Sequence, residues 1–147
     1  PMRIVELEVI KQLLDAGVVT IAVGGGGIPV VADENGDLRG IPAVIDKDLA
    51  SALLASQVDA DLLLISTAVE QVALNFGKEN EEWVAQFTLD EVKQYLAEGG
   101  HFAEGSMAPK MRAVVQFLEA GGKEALITNP ENLERAMAGE TGTRIVR

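Results

Sequence analysis

Ile4, Val5, Leu7, Ile10, Leu13 and Leu14 recur at three- and four-residue spacing and Gly17 follows them, so the pattern predicts a helix over residues 2–16 with a glycine cap. The apolar run Val18-Val19-Thr20-Ile21-Ala22-Val23 then reads as a strand, and it ends abruptly in Gly24, Gly25, Gly26 and Gly27. Val30 and Val31 precede Asp33-Glu34-Asn35-Gly36-Asp37, whose Asn-Gly pair predicts a small surface β-hairpin returning through Leu38 to Ile41. Leu49 to Val58 is rich in Ala and Leu and predicts a helix opened by Ile45-Asp46-Lys47-Asp48.

Asp61 to Ser66 has the continuous apolar character of a buried strand, and Val72 to Asn75 reads as another short one. Thr88 and Glu91 stand in capping-box spacing ahead of a helix through about Leu96, and Ser106 to Glu119 is an amphipathic helix closed by Gly121-Gly122. A strand over Ala125–Thr128, a helix over Pro130–Met137 and a last strand over Thr143–Val146 complete the series. Strands alternating with helices predict an α/β fold, a three-layer αβα sandwich around a largely parallel sheet, in one domain over residues 1–147. No strand precedes the first helix, which predicts that the chain is the latter part of a longer protein.

Composition narrows the chemistry. At 147 residues and 48% hydrophobic the chain suits a single core. Its net charge of -11, with no basic stripe, argues against nucleic acid or an anionic membrane surface as partner. No apolar stretch approaches the roughly 20 residues of a membrane span, and a cytoplasmic location is expected. With no cysteine and one histidine, disulfides, thiolate chemistry and a conventional zinc site fall away, and no metal-ligating residues are assigned.

The four glycines end a strand where α/β proteins place ligands, and glycine lets backbone N–H groups approach an anion closely. The run matches neither a Walker A loop nor G-x-G-x-x-G, because Pro29 and the hairpin follow, so a bare turn and a ligand-facing loop both remain open. Lys47 opens a helix, where the macrodipole disfavours a cation. Either Asp46 caps that helix beside a solvated Lys47, or Lys47 meets a phosphate while Asp48 orients lysines or a metal. Lys110, following Pro109 in the first turn of its helix, repeats the anomaly; leaning back toward the helix start, it would join the free N–H groups of the loop before it in a phosphate site. His101 reads as a loop residue without a partner, Trp83 and Phe87 as packing, Glu79, Glu81 and Glu82 as a solvated face, and Asp59 and Asp61 as flanks of a strand.

The ordered segments "AVGGGGIPVV", "AVIDKDLASALLA", "TAVEQVALNFGKEN", "FAEGSMAPKM", "GGKEALIT" and "GETGTRI" together resemble the C-terminal half of the carbamate kinases, within the amino acid kinase family. The resemblance implies reversible phosphoryl transfer, with ATP and carbamate giving ADP and carbamoyl phosphate, Mg²⁺ as companion ion and a role in arginine breakdown. It implies a catalytic part for Lys47, Asp48 and Lys110, Asp48 organising the lysines. It implies a nucleotide pocket of Thr67, Ala68, Val69, Val72, Asn75 and Gly77 with Gly105, Ser106 and Met107, and a substrate-side phosphate loop of Gly24, Gly25, Gly26 and Gly27.

The family's chains are about twice as long. By the same resemblance the other half carries a further glycine loop, most carbamate contacts and another lysine. The expectation is therefore a chain that supplies the nucleotide side, has little kinase activity alone, and associates with itself or with a complementing N-terminal half through an exposed apolar seam. A nucleotide-binding module without catalysis and an isolated structural unit are the alternatives.

Overall fold

The computed structural model describes all residues 1–147. A four-stranded sheet forms its centre, in the order β3 (Leu62–Ser66), β7 (Glu124–Thr128), β8 (Thr143–Val146), β6 (Gln86–Thr88). β3 runs parallel to β7 and β6 parallel to β8, while β7 and β8 are antiparallel, so the sheet is mixed and mostly parallel. Two small antiparallel pairs stand apart from it: β1 (Val30–Ala32) with β2 (Leu38–Gly40), and β4 (Val72–Leu74) with β5 (Glu82–Val84). The first pair is the expected hairpin, its turn held by the Asp33 carboxylate, which accepts from the N–H groups of Asn35 and Asp37.

Alternation along β7 and β8 sorts the layers. Ala125, Ile127 and Ile145 join Leu63 and Ile65 in the core, under α2 (Lys47–Gln57), α3 (Leu89–Glu98) and α4 (Met107–Glu119). α4 is the central helix: it packs on both α2 and α3 and contributes the wholly buried Met111, Val114, Phe117 and Leu118. The opposite face carries the short α5 (Leu133–Met137), reached through a 3₁₀ turn at Pro130–Asn132. Arg144 stands on that face, pairs with Glu124 and donates to the carbonyls of Ala136 and Met137, closing the end of α5 with a cation.

The predicted element types hold over most of the chain, including the capping box, in which Glu91 N–H donates to the Thr88 hydroxyl and the Glu91 carboxylate accepts from Thr88 N–H. The helix predicted over 2–16 is shorter, α1 at Leu7–Asp15. Residues 18–23 form no strand: the sequence has strand character, but no neighbour pairs with it, and Val19 and Ile21 are 93% and 98% exposed. Val23 takes a φ of 50°, which a β-branched side chain rarely adopts. An apolar cavity of about 280 Å³ lies behind this segment, between Ile10 and Leu14 of α1 and Leu54 and Ala55 of α2 with Val58 just past its end. No helix is long and apolar enough to cross a membrane.

Candidate nucleotide and phosphate site

Asp46 caps α2, its carboxylate accepting from the N–H groups of Asp48 and Leu49. That leaves Lys47 exposed at the first helical position and turns Asp48 inward. The glycine run lies directly against this helix start. Gly26, at φ 87°, is so close to Ile45 that a Cβ there would come within 1.9 Å of the Ile45 carbonyl oxygen. Only glycine fits, so at this position close approach explains the residue. Gly26 N–H bonds back to the Val23 carbonyl, while Gly24, Gly25 and Gly27 lie exposed around it.

Across the interface between α2 and α4, Asp48 accepts a hydrogen bond from the Lys110 ammonium at 2.8 Å, with the two side chains 10% and 12% exposed. This differs from the local expectation for Lys110. Its ammonium lies on a carboxylate rather than on the amides before α4, and the N–H groups of Ser106, Met107 and Ala108 all converge on the Ala103 carbonyl. A full negative charge in a nearly dry interface outweighs the partial charges of a helix end. The pair joins two helix starts, and with them the glycine loop, into one region where three sequence-distant segments meet.

The first turn of α4 also walls a second, apolar cavity of about 90 Å³, lined by Val69, Ala73, Phe76, Trp83, Ala103, Ser106 and Met107. Met107 stands three residues before Lys110, so the cavity and the ion pair share one turn of helix. Of the residues assigned to a nucleotide pocket, Val69, Ser106 and Met107 line this cavity. Asn75 and Gly77 form the turn beside Phe76, both in the left-handed region, with φ values of 55° and 76°. Gly105 is exposed just before Ser106. Thr67 and Ala68 follow β3 at its carboxyl end, with Thr67 N–H bonded to the Thr128 carbonyl. Val72 is a different case: it is wholly buried in the hydrophobic core, its N–H donating to the Thr143 hydroxyl. Its neighbour Ala73 takes the cavity side.

Sequence reasoning missed Ala73, Phe76, Trp83 and Ala103. Trp83 and Phe87 both pack, with different partners: Trp83 meets Phe76 edge to face at 6.0 Å, and Phe87 packs with Tyr95 and Phe102. Two half-exposed aromatics flanking one glycine turn were the available signal. No group of three or more His, Asp or Glu side chains is placed to hold a metal ion.

The model of the amino acid kinase family matches residues 1–129. The chain is 53% identical over 146 residues to the carbamate kinase-like protein YqeA of Escherichia coli, covering 99% of this chain and 46% of that protein. Against the carbamate kinase of Thermococcus kodakarensis the identity is 48%, over 100% of this chain and 46% of the relative. The chain thus spans about half the length of the curated relatives it matches. Among solved structures, carbamate kinase from Giardia lamblia bound to AMP-PNP superposes with a TM-score of 0.94 at 42% identity, over 100% of this chain and 51% of that one.

Proposed function

The chain belongs to the amino acid kinase family, and on that premise we propose that it supplies the nucleotide side of a carbamate kinase, the phosphotransferase that interconverts ATP plus carbamate with ADP plus carbamoyl phosphate. The observation that carries this reading is the largely shielded Asp48–Lys110 pair at 2.8 Å, set between the glycine loop and the apolar cavity. The base of the nucleotide enters the cavity between Phe76, Trp83 and Met107, and its phosphates run past the start of α4 toward Lys110, Lys47 and the amides of Gly24, Gly25 and Gly27.

Phosphoryl transfer requires chiefly in-line positioning and charge stabilisation. Carbamate is already an anion, so its oxygen attacks the γ-phosphorus without a base, the bond to the ADP oxygen breaks, and charge spreads over the transferring oxygens. Lys110 and Lys47 meet that charge. Asp48 is the positioning group: it fixes the Lys110 ammonium and makes the start of α2 move with that of α4. No group of three or more acidic side chains in this chain would hold Mg²⁺; an ion bound together with the nucleotide would neutralise phosphate charge.

Association completes the reading. Val19, Ile21, Ile28 and Val44 expose apolar side chains around the glycine loop and the unpaired segment before it. A second copy or a complementing N-terminal half covers them. Light scattering should show association that Ile21→Asp reduces; a monomer at high concentration would count against it.

The direct test is calorimetry with ADP together with a coupled assay of ATP formation from carbamoyl phosphate. Binding abolished by Lys110→Ala, with little turnover by the chain alone, is the expected result. Absence of ADP binding, or turnover at the rate of a complete kinase, overturns the proposal.

A further inference from the structure

The only histidine, unremarkable in sequence, sits at the joint between the two walls of the apolar cavity. α3 ends in Gly99 and Gly100, both at positive φ (73° and 74°), and this tight reversal brings His101 back over the helix it has just left. Its Nε2 lies 2.9 Å from a Glu98 carboxylate oxygen, and its ring meets that of Tyr95 edge to face at 4.9 Å. The side chain is 25% exposed, and Nδ1 is buried with no partner. An N–H at Nδ1 would be orphaned, so the ring proton belongs on Nε2, donating to Glu98.

Fixing the ring fixes the backbone around it. The His101 carbonyl accepts the N–H of Asn75 at 2.9 Å, and the adjacent Gly100 carbonyl accepts the Lys78 ammonium at 2.8 Å. These two bonds tie the segment bearing Ala73, Phe76 and Trp83 to the one bearing Ala103, Ser106 and Met107. Asn75 holds the left-handed conformation that turns Phe76 toward the cavity, and its N–H anchor is His101.

We propose that His101 is a positioning residue for the nucleoside end of the nucleotide: clamped by Glu98 and Tyr95, it sets the separation of the cavity walls through Asn75 and Lys78. The inference rests on the nucleotide reading above. It requires no contact between His101 and ligand, and it assigns the residue no part in binding phosphate, because the Asp48–Lys110 pair is held by other contacts.

Calorimetry of the full chain with ADP and, separately, with inorganic pyrophosphate tests it. His101→Ala should weaken ADP binding about tenfold, the scale of a lost hydrogen bond, and leave pyrophosphate binding unchanged. His101→Gln, whose amide can donate to Glu98 from nearly the same place, should restore most of the ADP affinity. Should His101→Ala fail to fold, the exposed Glu98→Ala removes the same clamp and is expected to act in the same direction. Unchanged ADP affinity in the alanine variant, parallel loss of pyrophosphate, or failure of glutamine to rescue overturns the inference alone. An unsubstituted chain that binds no ADP overturns the nucleotide reading and this inference with it.

Discussion

Asp48 and Lys110, 62 positions apart, meet at 2.8 Å in the interface of α2 and α4 with hardly any water around them. Each is the one ionic side chain its helix turns inward within the first turn or just past it, and each is the other's partner.

Removing one member should therefore be costly. Lys110→Ala leaves the Asp48 carboxylate uncompensated and should lower stability by about 3 kcal/mol, measured by urea unfolding. Replacing both, Asp48→Leu with Lys110→Met, should recover most of that stability and none of the ADP affinity. A double variant as unstable as the single one would show that packing, not the stranded charge, is responsible.

The glycine run should prove uneven. Gly26→Ala sets a Cβ against the Ile45 carbonyl at a φ of 87° and should cost about 1–3 kcal/mol, shifting the loop away from α2. Gly25→Ala, with nothing within 4 Å of the added carbon, should stay within about 0.5 kcal/mol of the parent. Equal melting temperatures for the two variants would contradict the contact.

Acid should weaken the start of α3 through Glu91. Its carboxyl is held below its ordinary pKa of 4.5, first by the Thr88 N–H and then by the Thr88 hydroxyl. A carboxylate depressed on folding contributes stability that is complete above the unfolded value and is lost as pH falls through the folded one. Denaturant unfolding followed downward from pH 6 should show Glu91→Gln losing less stability than the parent below about pH 4.5; parallel curves would exclude the effect.

Trp83 is the single tryptophan and stands half exposed beside the cavity, so its emission should change as ADP binds. Trp83→Ala loses an edge-to-face partner of Phe76, worth about 1 kcal/mol of stability. If the base stacks there, the same change weakens ADP binding about tenfold or more. Emission indifferent to saturating ADP would place the base elsewhere.

Local chemistry made much of the fold legible. The Thr88–Glu91 box, the Asn-Gly hairpin and the apolar strands read at 61–66 and 125–128 carry their instructions within a few residues, and all form, the two strands with bounds at 62–66 and 124–128. β5 and β6 escaped notice because Glu82–Val84 and Gln86–Thr88 are short and partly polar; β5 pairs with the equally short β4 just before it, and β6 depends on β8, far along the chain. The segment at 18–23 failed for the opposite reason: strand propensity without a pairing neighbour does not make a strand. In the site, spacing marked Lys47 and Lys110 as cations at helix starts, but no local rule reveals that Lys110 answers to Asp48 or that Ala103 takes three amides. His101 looked partnerless because two glycines reverse the chain and return it to Glu98, a neighbour that spacing alone does not reveal.

The hydrophobic core of 18 buried side chains runs from Ala52 to Ile145 and takes none from the first 46 residues. In folding, that divides the molecule into two tiers of cooperativity. Opening α4 or β7 disrupts the whole core, so their amides exchange with solvent only when the domain unfolds globally. Residues 1–45, glycine loop included, place no side chain in that core, so local excursions there would leave it closed. On the proposed reading, the acceptor side of the site is thus mounted on the part of the chain that shares least in the core, and its order depends on what it is pressed against.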